Sequence, residues 1–168
     1  MPENDITAMN DSIYIMPLKT EHINEVCAIE KECFTDPWTR NIFLELLDYP
    51  VAVNLVAAEV NNNNNVNNIE EIVGYCVFYH VLDECQIMNI AVKESKRNRK
   101  IATKLLLAVF AYAKAENITA FTLEVRQSND KAIALYKKFG FKNDGVRKNY
   151  YKHPKEDAFL MSLRGDSV

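Results

Sequence analysis

Apolar residues along this chain recur in two periods, roughly every second and every third to fourth position, and the switches between them mark out its elements. "SIYIMPL" at residues 12–18 predicts a short strand, and "TEHINEVCAIEKECF" then places Ile23, Val26, Cys27 and Ile29/Glu30 at helical spacing behind Thr20. After the turn "TDPW", the segment "TRNIFLELLD" predicts a second short helix, capped by Thr39, with Ile42, Leu46 and Leu47 facing inward. "VAVNLVAAEV" and "IEEIVGYCVFYHVL" are rich in Val, Ile and aromatic residues and predict two strands. "DECQIMNIAV" predicts a third, whose nearly all-apolar run Ile87 to Val92 suits a central strand buried on both faces.

From Lys100 to Glu116 the period lengthens again. Ile101, Leu105, Ala108/Val109 and Tyr112 repeat along one face of a long helix, which Leu106 and Phe110 widen. "ITAFTLEV" predicts a strand and "SNDKAIALYKKFGF" a helix, capped by Ser128 or Asn129, with Ala132, Leu135/Tyr136 and Phe139 inward and Gly140 at its C′ position. Two strands follow, around Phe141 to Tyr150 and Asp157 to Leu163. The order is β-α-α-β-β-β-α-β-α-β-β, with no internal repeat and no second domain boundary.

The pattern lapses in two places. Residues 1–11 read as a flexible tail, and "NNNNNVNN" at 61–68 offers nothing to bury, so it reads as a flexible hairpin insertion. Residues 1–168 therefore predict a single domain. The length of 168 residues and 48% apolar content are ample for one packed core.

Charge narrows the function classes. A formal net charge of −3 lacks the global positive field of a general nucleic-acid binder, so direct nucleic-acid binding is not expected. "MPENDITAMNDS" has neither a basic lead nor an apolar stretch, and the longest apolar run, "IVGYCVFYHVL", is far short of a spanning helix. The expectation is a cytoplasmic protein that does not enter a membrane. Cys27, Cys33, Cys76 and Cys85 show no C-x-x-C spacing and the three histidines lie far apart, which predicts reduced core thiols and no metal.

Against this acidic background one segment stands out. "NIAVKESKRNRKIATKLL", residues 89–106, runs from a strand through six basic residues and one acid into a helix. A helix start offers unpaired N–H groups and a positive dipole end, a site suited to an anion such as a pyrophosphate. The local positive charge would reinforce that dipole. The alternative is a solvated helix start that simply carries charge.

The blocks "NIAV…RNRKIATKLL…TLEVRQSNDKAIALYKKFGF…RKNYY…EDAFLMSL" resemble the Gcn5-related N-acetyltransferases (GNAT), and within them the enzymes that acetylate the N-terminal alanine of ribosomal proteins. The resemblance is close over residues 87–163. It implies an α+β fold with a central mixed, mostly antiparallel sheet flanked by about four helices, and acetyl-coenzyme A as the acetyl donor, with no metal.

The family's turn reads Gln/Arg-x-x-Gly-x-Gly/Ala, and its amides wrap the donor's pyrophosphate. The resemblance places Arg97, Asn98, Arg99, Lys100, Ile101, Ala102 and Thr103 there, with Lys100 in place of the family's first glycine. It implies that Ile90, Ala91 and Val92 pair their backbone with the pantetheine arm and offer an N–H to the thioester carbonyl. It assigns Glu124 as general base and Tyr136 as the acid that protonates the departing thiolate. Asn129 matches a cofactor-contacting residue, while Trp38, Tyr150 and Tyr151 resemble peptide-facing aromatics.

Each position also has a plainer reading. Ile90 to Val92 and Tyr136 suit core packing, Asn129 suits helix capping, and Glu124 suits a salt bridge to Arg126. Trp38, Tyr150 and Tyr151 suit ordinary surface and core packing. An N-terminal amine, with a pKa of about 7.7–8.0, asks less of a base than a lysine amine near about 10.4, which favours Nα chemistry. The leading expectation is transfer of acetyl from acetyl-coenzyme A to the N-terminal amine of a ribosomal protein. The alternatives are the same fold acting on a small amine or an internal lysine, and a non-catalytic module whose basic turn contacts RNA or the ribosome.

Overall fold

The computed structural model of the protein describes residues 12–60 and 69–164. The tail at 1–11 and the asparagine-rich segment at 61–68 lie outside the described residues. The chain forms β1 (Ile13–Pro17), α1 (Ile23–Cys33), α2 (Arg40–Asp48), β2 (Ala52–Val60), β3 (Ile69–Val81), β4 (Glu84–Val92), α3 (Ile101–Ala115), β5 (Ala120–Arg126), α4 (Asp130–Lys138), β6 (Lys142–Lys152) and β7 (Lys155–Arg164). This is the order that the periodicity predicts. Short 3₁₀ turns at Thr20–His22 and Glu94–Lys96 precede α1 and α3.

The seven strands among the described residues form one sheet in the order β1-β2-β3-β4-β5-β7-β6. Every neighbouring pair is antiparallel except β4 with β5. That single parallel pair requires a crossover, and α3 supplies it. The fold is thus α+β with a mixed, mostly antiparallel sheet, as expected.

Two cores lie on opposite faces of the sheet. On one, Ile101, Leu105, Leu106 and Val109 of α3 and Ile133 and Tyr136 of α4 pack on Phe78, Cys85, Phe121 and Leu123. On the other, Ile23, Val26 and Ile29 of α1 and Phe43 and Leu46 of α2 pack on Val56, Ile72, Tyr75 and Val77. Alternation is cleanest on β5, where Phe121, Leu123 and Val125 are buried while Thr122, Glu124 and Arg126 are half-buried on the other face.

The helix ends follow local chemistry. Thr39 caps α2 by accepting the Ile42 N–H, and Asn129, the second of the two candidates, caps α4 by accepting the Ala132 N–H at 3.2 Å. Gly140 follows α4 at φ +92°, a left-handed value open to glycine. The stripe of α2 differs from expectation: Phe43 and Leu46 are buried, whereas Ile42 is 37% exposed. Residues 42 and 43 are both apolar, so the hydrophobic pattern alone left the helix rotation undecided by about 100°. A tilted ring contact of Phe43 with Trp38 and an edge contact with Tyr75 settle it.

Candidate functional site

β4 and β5 pair only from Glu84 to Ile87 against Ala120 to Leu123. Beyond that, Asn89 to Val92 stay with β3, opposite Val77, Cys76, Tyr75 and Gly74, while Glu124 to Arg126 stay with β7. Each strand follows its other partner, and the sheet opens into a wedge. The expectation that Ile87 to Val92 is buried on both faces is corrected here. Ile87 and Ala91 are buried, but Met88, Asn89, Ile90 and Val92 are half-buried because β5 has turned away.

An open strand edge carries backbone donors and acceptors that need partners, and an extended ligand bearing amides can serve as the missing strand. The Val92 carbonyl is already engaged, accepting from the Cys33 thiol at 3.5 Å and from Arg97 Nε at 3.3 Å. All four cysteines are free thiols. Cys76 and Cys85 are core residues as expected, and burial pushes the Cys85 thiol up to about 12. Cys33 is instead half-buried beside the wedge.

The basic turn links the wedge to α3. Asn98 and Lys100 have φ values of +63° and +59°, and Lys100 is the N-cap of α3. The position where the sequence departs from glycine thus keeps a glycine-like backbone. The next residues, Ile101, Ala102 and Thr103, form the first turn of α3, whose free N–H groups and positive dipole end suit a phosphate. That first turn carries no acid.

The charge on this turn is largely committed, contrary to the expectation that it simply reinforces the dipole. Lys93 pairs with Glu71, Lys96 with both Glu59 and Glu71 (3.1 Å to the latter), and Arg99 with Glu59 at 2.7 Å. Arg97 pairs with Glu94 at 3.4 Å, and the Lys104 ammonium donates to the Ile13 carbonyl. Hydrogen bonds from Arg99 and Lys96 hold the Glu59 carboxyl at about 2. Glu59 and Glu71 are far from the turn in sequence, and only the β2–β3 hairpin brings them beside it. The Lys100 side chain is exposed.

Glu124 and Tyr136 flank the wedge from opposite faces of the sheet. Glu124 points away from the α3–α4 core, with its side chain 17% exposed and Oε1 at 2.6 Å from Arg147 Nη1. Its ion pair is with Arg147, and Arg126 pairs instead with Glu156 at 3.2 Å, so the plainer reading of Glu124, a bridge to Arg126, does not hold. β6, which carries Arg147, lies one strand beyond β7, so sequence proximity gave no hint of this partner. The same Glu124 carboxyl group lies beside the Tyr150 phenol and pushes its pKa up.

Tyr136 is 5% exposed, with its ring 5.7 Å from that of Phe141. Burial raises its pKa well above the usual phenol range, with further contributions from Cys76 and Tyr151. The hydroxyl therefore keeps its proton until a strong base arrives.

The three aromatic candidates lie on the Glu124 face or at its rim. Tyr150 and Tyr151 pack edge to face at 5.1 Å; the Arg147 guanidinium lies over Tyr150, and that of Arg126 over Tyr151 at 4.0 Å. Trp38 packs at a tilt on Phe43, 5.7 Å away. Arg126 joins these groups: it donates to the carbonyls of His153 and Pro154 in the β6–β7 turn and to Thr35 Oγ1 in the α1–α2 loop, and the Thr35 hydroxyl itself donates to the His153 carbonyl. A roof over the open end of the sheet results.

Sequence reasoning missed Glu30. It is 1% exposed, accepting the Trp38 backbone N–H at 2.8 Å and bonding Tyr75 and Asn89. A carboxylate on the inward stripe of α1 was the signal available for it. Among the described residues no group of three or more His, Cys, Asp or Glu could hold a metal ion, and no helix is long and apolar enough to cross a membrane.

Comparison with known proteins agrees with this geometry. The model of the acetyltransferase (GNAT) family matches residues 23–141. A Bacillus subtilis protein is 36% identical over 154 residues, covering 91% of this chain and 96% of its own length; it is named provisionally as a [ribosomal protein bS18]-alanine N-acetyltransferase. A Haemophilus ducreyi protein named for that activity is 32% identical, over 85% and 94% of the two chains. Among solved structures, the ribosomal-protein-S18-alanine N-acetyltransferase from Escherichia coli superposes with a TM-score of 0.79 at 26% identity, covering 93% of this chain and 98% of that one. The open wedge, the helix start beyond it and these likenesses lead to one conclusion: the chain belongs to the acetyltransferase (GNAT) family, whose members use acetyl-coenzyme A.

Proposed function

We propose that this protein transfers the acetyl group of acetyl-coenzyme A to the N-terminal amine, alanine first, of a ribosomal protein. The observation that carries the reading is the wedge between β4 and β5, with the Glu124 carboxyl group, paired to Arg147, on one face and a buried phenol on the other. The names of the relatives from Bacillus subtilis and Haemophilus ducreyi support the acceptor class.

The residues divide the work by position. The first turn of α3, with the amides from Arg97 to Thr103, would hold the pyrophosphate, and the Ile90 to Val92 edge would pair with the pantetheine arm. Asn129 is already used as a helix cap, so its contact to the donor would come from its remaining amide donors. A backbone N–H of β4 facing the thioester oxygen would stabilise the tetrahedral oxyanion, worth about 3 kcal/mol where such donors have been removed elsewhere.

Glu124 would take the proton of the attacking amine, directly or through a water. Tyr136 would give its proton to the departing thiolate. Burial makes this phenol a weak acid, but the thiolate formed in the same dry environment becomes a stronger base for the same reason, so the match is retained. Trp38, Tyr150 and Tyr151 would shape a slot for a small first residue.

The test is incubation with acetyl-coenzyme A and a peptide beginning Ala-Arg, followed by thiol release and peptide mass. Glu124→Gln and Tyr136→Phe should each lower turnover by about 10²-fold or more with the fold intact by circular dichroism. Unchanged rates remove both role assignments. Intact masses of ribosomal proteins before and after incubation identify the acceptor.

A further inference from the structure

Glu30 is the most deeply buried carboxylate among the described residues, and its bonds run to three separate parts of the fold. Oε1 accepts the Trp38 backbone N–H at 2.8 Å, and Oε2 accepts the Tyr75 hydroxyl of β3. Asn89 Nδ2 on β4 donates to both carboxylate oxygens, at 3.4 and 3.2 Å, and lies 3.0 Å from the Tyr75 oxygen. Desolvation, the largest influence on this carboxyl, pushes its pKa up against the lowering effect of Tyr75, Trp38 and Asn89.

Burying a carboxylate opposes folding unless its lone pairs are met, and an apolar side chain of similar volume commonly serves packing as well or better. The identity of the groups held is therefore informative. Two of the three belong to the site: the Trp38 segment, in the irregular loop between α1 and α2, and Asn89 on the part of β4 that has lost its β5 neighbour. Loop positions drift unless tied to a rigid element, and here α1 provides the tie.

We infer that Glu30 is a positioning residue: its carboxylate fixes the Trp38 segment against the open edge of β4 and so sets the width of the slot through which the acceptor amine reaches the thioester. The inference rests on the acetyltransferase reading above. It makes the Trp38 wall a fixed feature rather than a closing lid, and it bears on acceptor binding more than on donor binding, because no atom of the Glu30 cluster lies on the α3 turn and Asn89 joins it through its side chain while the β4 backbone stays paired with β3.

Steady-state kinetics with acetyl-coenzyme A and an Ala-Arg peptide, beside calorimetric titration with coenzyme A, tests this on the full chain. In Glu30→Gln an amide N–H₂ faces the Asn89 N–H₂, so the clamp opens, and the peptide KM should rise by about tenfold or more while coenzyme A affinity stays within twofold. Tyr75→Phe also removes a buried hydrogen bond but leaves the Trp38 and Asn89 links, so it should lower Tm with the peptide KM within twofold. If Glu30→Gln does not fold, Asn89→Ala breaks the link to β4 alone and should raise the peptide KM severalfold. Active wild-type protein with an unchanged peptide KM in Glu30→Gln, or in Asn89→Ala where that is the variant read, overturns the inference while the acetyltransferase reading stands. Wild-type protein that acetylates no N-terminal peptide overturns both.

Discussion

At the scale of single residues, Lys100 carries the clearest tension between sequence and backbone. It occupies a left-handed conformation that disfavours a side chain by roughly 1 kcal/mol. Lys100→Gly should therefore stabilise the protein by about that amount, read from the midpoint of urea denaturation. The backbone already has its glycine-like course, so the substitution removes only an exposed ammonium. Affinity for coenzyme A should fall about two- to threefold at low ionic strength and by less at high salt, measured by calorimetry, because screening weakens an exposed charge. A gain in affinity would mean that the lysine side chain obstructs the phosphate.

A second residue-scale prediction concerns acid. Glu59 has a folded pKa of about 2, well below its ordinary carboxylate value, so the unfolded chain binds its proton first as pH falls. The contribution of Glu59 is fully present above the unfolded value near 4.5 and is lost as pH falls through the folded value near 2. Its partner Arg99 is 41% exposed at the side chain, and solvent screening reduces the effect to about 1 kcal/mol. Glu59→Gln should flatten the stability profile over that window, followed by denaturation at several pH values.

At the scale of elements, the site is built where loops from distant parts of the chain are tied together. Arg126 holds the β6–β7 turn and the α1–α2 loop with three donated bonds, pairs with Glu156 of β7 and lies over Tyr151. Arg126→Ala should release both walls, raising hydrogen exchange in residues 34–38 and 150–157 and raising the peptide KM. Arg126→Lys should rescue little, because one ammonium cannot reproduce the planar fork or its stacking. Donor affinity should stay unchanged in both variants, since α3 and its turn take no part in this tie.

At the scale of the whole molecule, the donor site depends on how closely the start of α3 lies on the sheet. Gly74 on β3 sits opposite Val92, and a Cβ there would fall 2.9 Å from the Ala91 carbonyl oxygen and 3.3 Å from Ile101 Cγ2. Gly74→Ala would push the start of α3 from the strand edge. It should cost about 1–3 kcal/mol of stability and weaken coenzyme A binding in parallel, read by thermal unfolding and calorimetry. Its effect reaches the donor site directly, through the Ala91 backbone and the Ile101 side chain.

The sequence by itself determined the order of the eleven strands and α-helices among the described residues, because alternation and helical periodicity are properties of contiguous residues that local backbone geometry enforces. It also located the turn before α3 and Gly140 and narrowed the α4 cap to Ser128 or Asn129, since caps and turn residues act within a few positions of themselves. The rotation of α2, with Phe43 inward and Ile42 out, was undecided locally and was set by packing against Trp38 and Tyr75. Likewise, pairing of the basic turn with Glu59 and Glu71, of Glu124 with Arg147 and of Glu30 with Trp38 and Asn89 joins residues that only the sheet brings together. The wedge itself was decided by tertiary structure: β4 and β5 each have one strand partner they keep, and the twist that follows from those separate allegiances opens the edge a ligand would fill.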